Sequence, residues 1–201
     1  MLSCGCGGGG ADDSSDSLLP YINFEGVSCL NESRAGSARH VLKASSRANE
    51  VGCGASAPSG DALLVFLIPF TCAVRIRAVC VRGAGAASAR LLVNAEGADA
   101  EAAAGGAPAA AELALGGASN GAWQGVKPSR FGAVHHLTLA VAGGAGAGAD
   151  AGAPLEVFFV GLRGDGTGTR AAVVHAAYEA RAQPADHAAP AARAGGGGAL
   201  A

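Results

Sequence analysis

Six cysteines and five histidines are the side chains here best suited to metal binding, redox exchange or nucleophilic attack, and their spacing decides which of these is open. Cys4 and Cys6 form C-x-C inside a glycine run, without the two-residue spacer and second ligand pair that a zinc site wants. They read as thiols on a tail. Cys72 and Cys80 flank what reads as a single strand, and eight residues at ~3.3 Å each place them about 26 Å apart, far outside disulfide reach. The first sixteen residues hold no Lys or Arg and no apolar h-region, so no secretory leader is expected and free thiols are the default. His135 and His136 are neighbours on a predicted strand, so their side chains point to opposite faces and cannot clamp one metal. One surface and one half-buried histidine is the expectation.

Other motifs fail on context. Gly166-Thr-Gly-Thr-Arg-Ala171 mimics a dinucleotide fingerprint, which needs a following helix and a second parallel strand; a glycine hairpin turn is the simpler reading. Arg163-Gly-Asp165 matches an adhesion tripeptide and Asn31-Glu-Ser33 a glycosylation sequon, and both require secretion. No carboxylate pair, no Ser or Cys beside a His and no Lys in an apolar pocket can be nominated from spacing. Neither an enzyme nor a cofactor or metal site is expected.

The elements that would position any site are strands. Ala73-Val-Arg-Ile-Arg-Ala78 alternates, with Val74 and Ile76 on one face and Arg75 and Arg77 on the other, before the apolar Val79-Cys-Val81. Leu63–Ile68 reads as an inner strand closed by Pro69. Tyr21–Leu30, Arg39–Lys43, Arg90–Asn94, Ala111–Leu115, Val134–Val141, Leu155–Leu162 and Ala171–Glu179 complete a set of short strands without amphipathic helices between them. Such a set predicts an all-β fold, a two-sheet β-sandwich or a barrel. Ala84–Ala89, Ala95–Ala111 and Ala142–Ala153 are Ala/Gly-rich and read as long loops, because their Gly and Pro residues interrupt helix nucleation. A helical turn near Ala98–Ala104 is the one exception open.

Composition bounds the size of the core. With 49 Ala and 33 Gly among 201 residues, the large apolar set Leu, Ile, Val and Phe numbers 41. That supports one domain with poorly ordered flanks, drawn here as a disordered N-terminus at 1–17, a domain at 18–182 and a flexible tail at 183–201. Fourteen basic against sixteen acidic residues give a net charge of −2, without the broad positive field that captures nucleic acid. The longest apolar stretch, Ala62–Val74, contains Pro69 and is shorter than the roughly 20 residues a membrane helix needs. No nucleic acid and no membrane are expected, and cytoplasm or nucleus is the expected location.

One set of segments has a family likeness. Leu19-Pro-Tyr-Ile-Asn-Phe-Glu-Gly-Val-Ser-Cys-Leu-Asn-Glu-Ser33, Gly36-Ser37, Ile68-Pro-Phe-Thr71, Arg130-Phe131, Phe159-Val-Gly-Leu-Arg-Gly164, Tyr178-Glu179 and Pro184-Ala-Asp-His187 follow in order. Together they resemble the PITH domain family. The resemblance implies a jelly-roll β-sandwich that binds the proteasome through its 19S regulatory particle and catalyses nothing. It also has gaps: the family usually places Trp after the acidic residue that follows Arg-Gly, whereas Gly166 follows Asp165 here. The segment Val41–Arg47 and the Ala/Gly loops depart from the family as well, so no interface residue carries over onto them.

The candidate partner-binding residues are Asn31, Glu32, Arg163, Asp186 and His187. Asn31 and Ser33 can instead bond their own backbone in a turn, with Glu32 accepting from a nearby donor. Arg163 leaves a buried strand and suits either an internal carboxylate or a partner's. Asp186 and His187 suit docking or a clasp over a sheet edge. Two further classes stay open beside the proteasome-binding adaptor: a small-ligand or carbohydrate binder, opposed by having one Trp and two Tyr, and a thiol-based redox partner. A monomer is the expected state.

Overall fold

The computed structural model describes residues 16–48, 55–57, 63–95, 97–144 and 155–168. Among these, the strands are β1 (Ser28–Leu30), β2 (Ala55–Ser56), β3 (Leu63–Ala84), β4 (Ala86–Val93), β5 (Ala111–Ala114), β6 (Trp123–Gly125), β7 (Val134–Gly143) and β8 (Glu156–Gly166), with one short helix α1 (Ala38–Val41). Every pairing is antiparallel. The fold is the β-sandwich expected, and its unusual member is β3.

At 22 residues β3 belongs to both layers. Its first part, Leu63–Pro69, lies between β7 and β1, and β4 and β5 continue that sheet outward. From Val74 onward it lies between β8 and β6, and β2 pairs with the start of β8. The switch occurs where the ladder to β7 jumps from Pro69–His136 to Val74–Val134. Pro69 does not end the strand as expected; it sits at the last pair before the break, where its missing N–H costs the ladder least.

Alternation along β3 is what fills the gap between the layers. Leu64, Phe66, Ile68, Phe70, Cys72, Val74 and Ile76 all enter one core cluster, and after Arg77 the phase moves so that Val79 and Val81 enter it too. The cause is a bulge: Ile76 faces Gly164 and Ala78 faces Arg163, leaving Arg77 without an opposite residue. On β8 a second register shift skips Phe158, and there Val157 hands over to Val160 and Leu162 as core residues. One inserted residue in each strand keeps the apolar side on the core while the strand bends.

Several local expectations change. Arg39–Lys43 is helical at Ala38–Val41 and not a strand, because Glu32 folds the chain into a turn ahead of it and Ala38 and Val41 reach the core at helical spacing. Tyr21–Leu30 contains only β1, preceded by a helical turn at Leu19–Tyr21. Ala84–Ala89 is not a loop: Gly85, at φ 71, is a single hinge between β3 and β4. The helical turn left open near Ala98–Ala104 lies later in that segment, at Ala102–Gly106. The expected strand Ala171–Glu179 lies outside the described residues, as do most of the residues assigned to the two tails.

Candidate functional site

The face of β8 turned away from the core carries Phe159, Gly161, Arg163 and Asp165, spaced by two, while Val160 and Leu162 point inward. Alongside, on β3, Cys80 pairs with Gly161 and Ala78 with Arg163, and on the far side of β3 Trp123 of β6 pairs with Cys80. These rows bring Trp123 over Gly161. A Cβ built on Gly161 would meet the Trp123 ring at 2.7 Å and the Phe159 ring at 2.7 Å, so the glycine is the opening into which two aromatic rings pack. Phe159 is 1% exposed although it faces away from the main core. Aromatic contact on this outer side removes it from water.

Arg163 completes the stack, its guanidinium carbon 4.0 Å from the Trp123 ring centroid. At that distance the cation sits on the negative face of the indole. The sequence left open a carboxylate within the fold or one on a partner; the contact described for the side chain is with a tryptophan. Asp165, two residues along, forms an ion pair with Arg77, the bulged residue of β3. Arg75 stands directly opposite Asp165 and is exposed.

Two devices hold β6 in place. Asn120 pairs with β3 as a backbone would, its Oδ1 accepting from the Gly83 N–H at 3.0 Å and its Nδ2 donating to the Gly83 carbonyl at 2.7 Å. At the other end the Val126 N–H donates to the Arg77 carbonyl at 3.0 Å while its side chain enters the core. Gly164 is also tied to its place, since a Cβ there would lie 1.8 Å from the Arg75 carbonyl oxygen. Gly166, where the family usually has Trp, lies under the Tyr21 ring, which a Cβ would meet at 2.4 Å.

Asn31 and Glu32 lie apart from this face. Asn31 takes φ 63, a left-handed turn conformation that Asn tolerates better than most residues. The Glu32 carboxylate accepts from the Gly36 N–H at 2.7 Å, the Ser37 hydroxyl at 2.8 Å and the Ala38 N–H at 3.2 Å. It serves as a cap for α1. The Ser33 N–H donates to Ser56, and Ser56 pairs with Glu156, seven residues from Arg163 along β8, or about 23 Å at ~3.3 Å per residue. Asp186 and His187 lie outside the described residues, so of the five candidates the structure places three, with the neighbours Asn31 and Glu32 apart from Arg163. Trp123 was missed as a site residue; its being the only Trp was the available signal.

The thiols and histidines can be placed too. Cys29 is pushed up to about 12 by burial first and by the Glu32 charge second. Cys72 and Cys80 carry no disulfide and lie on one strand, as their spacing required. His135 and His136 are both half-buried, which corrects the expectation of one surface histidine. Among the described residues no three of His, Cys, Asp and Glu gather to hold a metal.

The sequence profile of the PITH domain matches residues 9–182. The chain belongs to the PITH domain family. It is 31% identical over 176 residues to PITH domain-containing protein 1 of Xenopus laevis and 32% identical over 179 residues to the human protein of that name, each match covering 85% of this chain and 80% of the relative. Among solved structures it is similar to the C-terminal domain of a chitobiase from Bacteroides fragilis, with TM-score 0.45, 13% identity, and coverage of 72% of this chain and 93% of that one. In this PITH domain the segment Phe159–Gly164 has a structural logic at every position: two core residues, an aromatic, a glycine that admits it, an arginine that stacks and a glycine that lets two strands close. No helix among the described residues is long and apolar enough to cross a membrane.

Proposed function

We propose that this chain is a non-catalytic protein-interaction domain that docks on the proteasome through its 19S regulatory particle, acting in the cytoplasm or nucleus. The observation that carries the reading is membership of the PITH family across residues 9–182. Local chemistry agrees with it. A thiol held near 12, as Cys29 is, is almost entirely protonated at neutral pH and a poor nucleophile, which weakens the redox alternative. The single Trp has Arg163 on its face and Phe159 at its side, leaving little bare ring for a sugar to stack on, which weakens the carbohydrate alternative. Affinity capture from native lysate with the full chain as bait is expected to bring down regulatory-particle subunits. Their clean absence at low salt overturns the reading.

A further inference from the structure

The Ala/Gly segment between β4 and β5 is tied down through its backbone and leaves space beside it. Arg90 of β4 donates from Nη1 to the Ala103 carbonyl at 2.9 Å and from Nη2 to the Ala107 carbonyl at 2.9 Å. Further along, the Ala110 N–H donates to the Leu91 carbonyl at 2.7 Å. Between these fixed points the chain offers only Pro108 and Ala109, too small to fill the gap against the end of β4. A cavity of about 470 Å³ results, lined by Leu92 to Ala95, by Ala107 to Ala110 and by Arg130. Two of these residues carry polar side chains. The Asn94 amide is engaged at both ends, its Oδ1 accepting from the His135 and His136 N–H groups and its Nδ2 donating to the Ala133 carbonyl. Arg130 is not: its Nη1 donates to the Ala109 and Ala110 carbonyls at 3.2 and 3.3 Å, both neutral acceptors, and its charge meets no carboxylate among the described residues. Of the acids in this part of the chain, Glu112 pairs with Arg90, Asp99 accepts from the Ala102 N–H, Glu101 does not line the cavity and Glu96 lies outside the described residues.

We propose that this cavity binds a small amphipathic carboxylic acid, with its carboxylate on Arg130 and its apolar tail along Leu92, Val93 and the alanines. The inference goes beyond the protein-interaction reading and does not rest on it. With Nη1 engaged, the hydrogens of Nε and Nη2 remain; they lie side by side on one edge of the guanidinium, the pair that meets both oxygens of a carboxylate. A mostly apolar lining with a single charged group suits a small ligand, and 470 Å³ lies within the roughly 300–1,000 Å³ that such sites occupy. The wall is already fixed by Arg90 and by the Ala110 bond to β4, so little backbone freedom is left to lose on binding. A sugar fits less well, because apart from Arg130 the lining has no polar side chain left to meet its hydroxyls.

The test is a titration of sodium octanoate into the nitrogen-15-labelled full chain, followed by amide chemical shifts, beside butanoate, octanol and an acetylated Gly-Ala-Leu peptide with a free carboxylate. Octanoate is expected to move the amides of Val93, Asn94, Ala107, Ala109 and Ala110 saturably and to leave those of β1 in place. Butanoate is expected to bind more weakly, by up to about fourfold for each methylene removed, and octanol about tenfold more weakly than octanoate, since it forfeits the charge-assisted pair. Arg130 also holds two carbonyls, so two variants are used. Arg130→Gln removes the charge and is expected to weaken octanoate about tenfold. Ala109→Leu keeps Arg130 and narrows the cavity, and is expected to weaken octanoate about as much, with a thermal midpoint close to wild type. Weakened binding in Ala109→Leu together with the preference for octanoate over octanol supports the site even where Arg130→Gln does not fold. No saturable shift with octanoate, octanol binding as tightly as octanoate, octanoate binding unchanged in Ala109→Leu, or binding of the peptide without binding of octanoate would each overturn the inference.

Discussion

Replacing Gly161 by Ala tests whether the aromatic stack on the outer face is built into the fold. The added methyl carbon would lie 2.7 Å from the Phe159 ring and 2.7 Å from the Trp123 ring, both shorter than any ordinary carbon contact. Neither neighbour yields easily: Phe159 is 1% exposed and has no open side to swing into, and Trp123 is held by its ladder to Cys80 and by Arg163 above it. Overpacking of this kind costs about 1–3 kcal/mol, and displacing Trp123 forfeits roughly 0.5–1 kcal/mol more from the half-exposed cation–π contact. For a chain of this size the first figure alone corresponds to a fall in Tm of roughly 2–12 °C. Thermal unfolding followed by far-ultraviolet circular dichroism reads the stability, and the emission maximum of the single Trp reads the stack, with a red shift expected as the ring moves toward water. Gly116→Ala is the control, since a Cβ there meets nothing within 4 Å. A Gly161→Ala variant that melts with wild type and keeps its emission would refute the reasoning.

Three further outcomes follow from individual polar groups. Thr138 is 0% exposed and its hydroxyl has no hydrogen-bond partner among the described residues, so Thr138→Val, nearly equal in shape, is expected to raise stability by about 1 kcal/mol; a lower denaturant midpoint would show the hydroxyl to be satisfied. Glu32→Ala removes three accepted hydrogen bonds at the start of α1 and is expected to cost about 1–2 kcal/mol in a denaturant titration, whereas an unchanged midpoint would leave the carboxylate with no role in the fold. The Cys29 thiol has its pKa raised from 9.0 to about 12 in the folded chain, so the folded state keeps a proton that the unfolded state releases. That contribution is fully present below pH 9 and is lost as pH rises from about 9 toward 12. Cys29→Ser, against wild type, is expected to flatten this alkaline decline, and equal slopes for the two would contradict the assignment.

Much of the sandwich was legible because alternation is a local signal. Val134–Val141 and Leu155–Leu162 were readable as strands from period-two apolar residues, and they are the bodies of β7 and β8. The exposed arginine face of Arg75 and Arg77 was visible for the same reason. Where local pattern and tertiary context disagree, the pattern misleads. Arg39–Lys43 reads as a strand from sequence, yet Glu32, several residues away, supplies the acceptors that turn it into α1. Pro69 reads as a stop, yet β3 passes through it because the ladder changes partner at that point. β6 has only three residues and no periodicity to read; it exists through its pairing with β3.

The site divides along the same line. Residue type and order alone determined that the chain is an all-β domain with a small core, that it carries the PITH segments and that its cysteines on β3 cannot bridge. Tertiary structure alone decided that Phe159, Gly161 and Arg163 form one platform with Trp123, a residue some forty positions earlier in the chain, and that Glu32 is engaged as a cap. The physical reason is range. Side-chain alternation follows from the geometry of one strand, whereas the neighbour a side chain meets depends on register between strands, and two single-residue bulges reset that register in β3 and β8.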